Sequence, residues 1–213
     1  MVRAFCLPPV VYTRSFYSVG AHNKIGKREE VLAQGLRLMY DQGYNGTGVK
    51  EIVDAAGIPK GSFYTYFESK EDLLLEALKQ YSGASEIRAR ETLTATGVPP
   101  LTRIQNYFDD LIAAHLDGQC RQGCFVTNVC HELAATHAGI GAAVGEHIDC
   151  IRDLLAACLD EARAAGAIQI DCDAGELAEF IQNSWDGALT RSKARRSREP
   201  LENFKRTLFQ KIL

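Results

Sequence analysis

The first regular pattern begins at Lys27. Val31, Leu32, Leu36, Met39 and Tyr40 recur at spacings of three and four and lay an apolar stripe along one face of a helix, which Gly43 ends. Thr47 is placed as the N-cap of a second helix over 49–56, with Ile52, Val53 and Ala56 facing inward and Gly57 stopping it. Pro59 stands just before a third short helix over 60–67. Three short helices with a glycine turn between the second and third give the helix-turn-helix layout. Ser69, followed by Lys70, Glu71 and Asp72, caps a fourth helix that runs through Leu73, Leu74, Ala77 and Leu78 toward Leu93.

Gly97, Pro99 and Pro100 interrupt the pattern over 94–100 and mark a boundary. Beyond it five helices are predicted, over 101–116, 123–135, 140–165, 173–191 and 201–212. No stretch alternates with period two, so the expected fold is all-α. Its parts are an N-terminal three-helix helix-turn-helix domain over 24–93 and a helical ligand-binding and dimerisation domain over 98–213. Residues 1–23, broken by Pro8 and Pro9, show no amphipathic period and read as a disordered extension or the product of an upstream start codon.

Composition narrows the class. With 213 residues and 46% hydrophobic content the chain can bury a core, while a net charge of -3 argues against an indiscriminate nucleic-acid coat. Any DNA binding must be local, and charge does not reveal it. Residues 24–80 hold eight basic and nine acidic side chains, and only 57–70 tips positive. Seven cysteines in a core-rich chain without an export signal read as reduced thiols in the cytoplasm. No run is long and apolar enough to suggest a membrane span.

The stretch from Thr47 to Leu73 carries the Gly-Ile-Pro-Lys-Gly-Ser turn, the run Phe63-Tyr-Thr-Tyr-Phe67 and Ser69-Lys-Glu-Asp-Leu73. It resembles the signature of the TetR family of transcriptional regulators, over about a quarter of the chain. Phe63 and Phe67, at i and i+4, would anchor the third helix inward, leaving Lys60, Ser62, Tyr64, Thr65 and Tyr66 nearer DNA. Lys70, at a helix N-terminus, would suit a phosphate. The resemblance implies backbone contacts from Thr47, Lys60, Tyr64, Tyr66 and Lys70. A short aromatic helix is otherwise a plain core element, and it is the complete motif that favours DNA. The resemblance further implies a homodimer built on the last two helices, double-stranded operator DNA as partner and an unidentified small-molecule effector.

The second half contains no catalytic constellation, so an enzyme is not expected. It offers instead Cys120, Cys124, Asn128 and His131, the last three at i, i+4 and i+7. The run Gly123-Cys-Phe-x-x-Asn-x-x-x-Glu132 resembles one branch of TetR-type regulators in which this helix lines the ligand pocket. Three readings stay open: small buried thiols, a pocket wall, or a sensor in which Cys124 or Cys120 reacts with an electrophile or oxidant, Cys124, at a helix start, being the candidate for a lowered pKa. The spacing fits no standard zinc pattern, and neither metal nor cofactor is expected. Trp185 reads as core or interface, and the basic run 191–198 as a solvated loop. The alternative function is a helical small-molecule-binding or redox-sensing protein that does not bind DNA.

Overall fold

The computed structural model describes residues 26–169 and 171–213; the extension assigned to 1–23, and with it Cys6, lies outside the described residues. These residues form helices and turns, with no strand among them. An N-terminal unit holds α1 (Lys27–Gln42), α2 (Val49–Ala55) and α3 (Phe63–Tyr66), the last entered through a 3₁₀ turn over Lys60–Ser62. From it α4 (Lys70–Leu93) leads to α5 (Pro100–Asp117), α6 (Phe125–Leu133), α7 (Ala138–Ala164), α8 (Ala174–Arg195) and α9 (Glu199–Thr207). A π-helical turn over Leu208–Ile212 closes the chain. As the pattern predicts, Ser69 caps α4 by accepting the Asp72 N–H at 3.0 Å; Asp173, not read as a cap from the sequence, caps α8 through the N–H groups of Gly175 and Glu176.

Four local expectations are corrected. Thr47 is not the cap of α2: Gly48 holds that position and its N–H donates to the Glu51 carboxylate at 2.9 Å. Thr47, 1% exposed, turns its hydroxyl back to donate to Gly43 O at 2.7 Å, satisfying a carbonyl at the end of α1. The third helix is a 3₁₀ turn followed by a single α turn, because Gly61 and Ser62 are weak helix formers. The helix drawn from 123 begins at Phe125: Gly123 has φ 76°, outside any right-handed helix, and Cys124 is the cap. The basic run is a loop only over 196–198, for α8 continues to Arg195, its last turn carrying Lys193 and Arg195 where the helix dipole favours cations.

Packing gathers the helices into two main cores. One core joins Val31, Ile52, Phe63 and Phe67 of the N-terminal unit and Leu74 of α4 to Phe125, Val126, Val129 and Leu133 of α6. The other joins Ala89 and Leu93 at the far end of α4 to α5, α7 and α8 through Phe108, Leu155, Cys158 and Ile181. Thus α4 runs from one core into the other, and α6 is packed into the first. Close approach of α1 and α4 needs Gly35, where a Cβ would lie 2.6 Å from Leu73.

Candidate nucleic-acid interface and effector cavity

The 3₁₀ turn and α3 present one face inward and one outward. Phe63 and Phe67 are buried at 0% and 2% exposure, their ring centroids 5.7 Å apart, and they fasten an element too short to stand alone. That leaves Lys60, Tyr64 and Thr65 exposed, with Tyr64 at 60%, and Ser62 and Tyr66 half-buried. A protruding short helix with a lysine, two hydroxyls and two phenols suits phosphate and base-edge contacts in a major groove.

Lys70, half-buried at the start of α4, has partners within the protein. Its ammonium donates to Tyr44 O and Thr47 O, both at 2.9 Å, and lies 3.9 Å from the centroid of the Tyr44 ring. Burial pushes its pKa down. Three interactions aim this cation at the loop between α1 and α2, and Thr47 is buried behind the same loop. Both residues therefore hold the shape of the DNA-facing unit.

Between α5, α6, α7 and α8 lies a cavity of about 80 Å³. The rings of Phe108 and Trp185, 5.5 Å apart, form an apolar side; Cys124 and Thr127 come from α6, and Gln182 and Asp186 from α8. Thr127 donates its hydroxyl to Asp186 at 3.3 Å. Burial raises the Asp186 pKa, against the pull of Thr127, His131 and His147. His115 faces the cavity from α5 with Nε2 3.1 Å from Ser192 Oγ. Because Ser192 gives its proton to Ser197 O, His115 must carry hydrogen on Nε2, and burial followed by Lys193 lowers its pKa and favours the neutral ring.

Of the four expected sensing residues only Cys124 lines this cavity. Cys120 is 5% exposed in a left-handed turn with φ 56°, which takes it off the α6 face. Asn128 donates to Gln122 O at 2.8 Å and accepts from Lys193 at 3.2 Å, so its amide holds the turn before α6. His131 is exposed. For Cys124 itself the lowered pKa is corrected: burial drives the thiol up and outweighs the N–H groups of Thr127 and Val126, which favour thiolate. Trp185 packs against the core, on Phe108 and Phe204, and also walls the cavity. Thr127, Gln182 and Asp186 escaped the sequence reading. The usable signal was the spacing of Gln182, Trp185, Asp186 and Leu189 at i, i+3, i+4 and i+7, a helix face half apolar and half polar.

The same α6 grips the N-terminal unit. The Glu132 carboxylate accepts the N–H groups of Tyr44 at 3.3 Å and Asn45 at 3.0 Å. Tyr40 donates its hydroxyl to Gly123 O at 2.7 Å, and Gln122 donates to Asp41 at 2.6 Å. A second surface feature lies between α8 and α9, a groove flanked by Phe180, which is 53% exposed, with Gly187, Arg191 and Asn203. No described helix is long and apolar enough to cross a membrane, and no cluster of three or more metal-ligating His, Cys, Asp or Glu side chains occurs among the described residues.

A helix-turn-helix unit with an exposed polar face, seated on a helical body that holds a cavity, is the arrangement of a DNA-binding transcriptional regulator. Comparison with known proteins gives the family. Residues 31–77 match the family described as bacterial regulatory proteins, tetR family, and residues 100–208 the tetracyclin repressor-like C-terminal domain. The chain is 34% identical over 186 residues to the HTH-type transcriptional repressor DhaR of a Mycobacterium species, covering 87% of this chain and 92% of that protein. It is 30% identical to the transcriptional regulator AcuR of Cereibacter sphaeroides, covering 88% and 86%. Among solved structures it resembles a regulatory protein TetR from Rhodobacter sphaeroides with a TM-score of 0.79 and 30% identity, covering 85% and 96% of the two chains. The reduced form of Escherichia coli NemR gives 0.74 and 27%, covering 85% and 95%. The chain belongs to the TetR family, whose members are transcription factors rather than enzymes and bind operator DNA as dimers with small-molecule effectors.

Proposed function

We propose that this regulator is a repressor that binds its operator as a homodimer in the cytoplasm and is released when a small molecule occupies the cavity. The observation that carries the reading is the double duty of α6: Cys124 and Thr127 wall the cavity, while Glu132 near the other end of the helix holds the α1–α2 loop. An occupant that shifts α6 acts on the loop that Lys70 also fixes, and so on the placement of Lys60, Ser62, Tyr64, Thr65 and Tyr66 against DNA. Release follows if the occupant binds the shifted state more tightly than the operator-bound one. The α8–α9 groove beside Phe180 is the surface on which a second copy would pack, so that two α3 elements meet two half-sites.

Mobility shifts with the intergenic DNA beside its own gene test this reading. Salt-sensitive, saturable binding by a dimer supports it, and Phe180→Glu should lose dimer and binding together. Absence of saturable binding to any neighbouring intergenic DNA overturns it in favour of a small-molecule-binding protein without DNA function.

A further inference from the structure

Gln182 and Asp186 stand one turn apart on α8 with Trp185 between them, and all three line the cavity. Gln182 donates its amide N–H to Ile148 O at 3.3 Å, while its Oε1 is buried without a hydrogen-bonding partner among the described residues. A buried carbonyl oxygen in that position is a standing cost that an incoming donor removes. Asp186 receives only the long bond from Thr127. The cavity wall contains no lysine or arginine. Its two histidines are bonded to other helices, His147 to Glu86 at 2.9 Å and His115 to Ser192.

We propose that the cavity takes a compact molecule with a hydrogen-bond donor head on a short apolar stem, an amine or an alcohol, and discriminates against carboxylates. This rests on the cavity being the effector site. The donor head bonds the Asp186 carboxylate and draws the Gln182 side chain, one turn away on the same wall, to turn its buried Oε1 toward it, while the stem lies against Phe108 and Trp185, whose ring faces also suit an ammonium. A carboxylate would bring a second negative charge beside Asp186, and no lysine or arginine lines the wall to pair it. A ligand that only accepts hydrogen bonds would leave Gln182 Oε1 unpaired. At about 80 Å³ the space is roughly half of the 150 Å³ void that admits benzene, so the head and stem together amount to about three to five non-hydrogen atoms.

Trp185 is the single tryptophan and walls the cavity, so its emission reports occupancy in the full-length protein. Titration at pH 7.5 with n-propylamine, 1-propanol, propionate and acetone compares heads on stems of similar size. The amine and the alcohol should bind at least about tenfold more tightly than propionate and acetone, one hydrogen bond to a buried acceptor being worth about that ratio. Gln182→Leu should bring the alcohol down to the level of acetone. Asp186→Asn should weaken the amine about tenfold and leave the alcohol within about twofold. Propionate or acetone binding as tightly as 1-propanol overturns the donor inference and leaves the cavity reading standing. No change in Trp185 emission with any of the four overturns the cavity reading itself, and the inference with it.

Discussion

The Glu132 carboxylate occupies the place where residue 43 would carry a side chain: a Cβ built on Gly43 lies 2.5 Å from Glu132 Oε1. Gly43 has φ 83° and ψ 164°, a region that favours glycine, so any other residue would be strained in its backbone and would push the Glu132 carboxylate aside. The end of α1 is thereby shaped to receive a carboxylate from α6.

Gly43→Ala should therefore cost about 1–3 kcal/mol of stability through backbone strain and displacement of Glu132. Urea denaturation measures it. A midpoint equal to that of the wild type would show that the contact and the turn are not formed as described.

Lys60 and Lys70 should separate by salt dependence. Lys60 is exposed on the DNA-facing element, and Lys60→Ala should weaken operator binding while lowering the slope of log affinity against log salt by about one. Lys70→Ala should weaken binding by about three- to tenfold through a loosened α1–α2 loop, with the slope unchanged. Anisotropy titrations at four salt concentrations distinguish the two, and a reduced slope for Lys70→Ala would return it to the phosphate-contacting role.

Alkylation of Cys124 should be slow at neutral pH and rise about tenfold per pH unit from 7 to 9 without a plateau. The sign follows from burial: the thiol is favoured over the thiolate, its pKa lies above the ordinary 9.0, and only the thiolate reacts. Rates of iodoacetamide labelling at Cys124, followed by peptide mass spectrometry, give the profile. A plateau below pH 8 would show a thiolate stabilised by the start of α6 in spite of its burial.

The elements were largely legible in the sequence because their signals are local. Gly43, Gly57 and Ser69 act on the next few residues, and the Phe63–Phe67 pair needs only a helical period to face inward. The site was legible only in part, because its assignments depend on partners far along the chain. Lys70 looks free until the fold brings Tyr44 and Thr47 to it, and Asn128 until Gln122 and Lys193 arrive. Cys124 shows both sides: its helix-start position was readable, whereas the burial that reverses its pKa comes from helices elsewhere in the sequence. Thr127 and Asp186 meet across 59 residues, and no spacing rule connects them.

The central claim is that the cavity and the operator-binding unit communicate through α6 and its Glu132 contact. A double-mutant cycle in operator affinity tests it, using Thr127→Leu to fill the cavity beside α6 and Glu132→Ala to release the α1–α2 loop, each variant first shown to fold by circular dichroism. Both single variants should weaken operator binding about tenfold, and the double variant should be no weaker than the worse of the two, because the cavity can act on the loop only while the contact exists. Full additivity, a loss of about a hundredfold in the double variant, would contradict the account and place the two effects on separate routes.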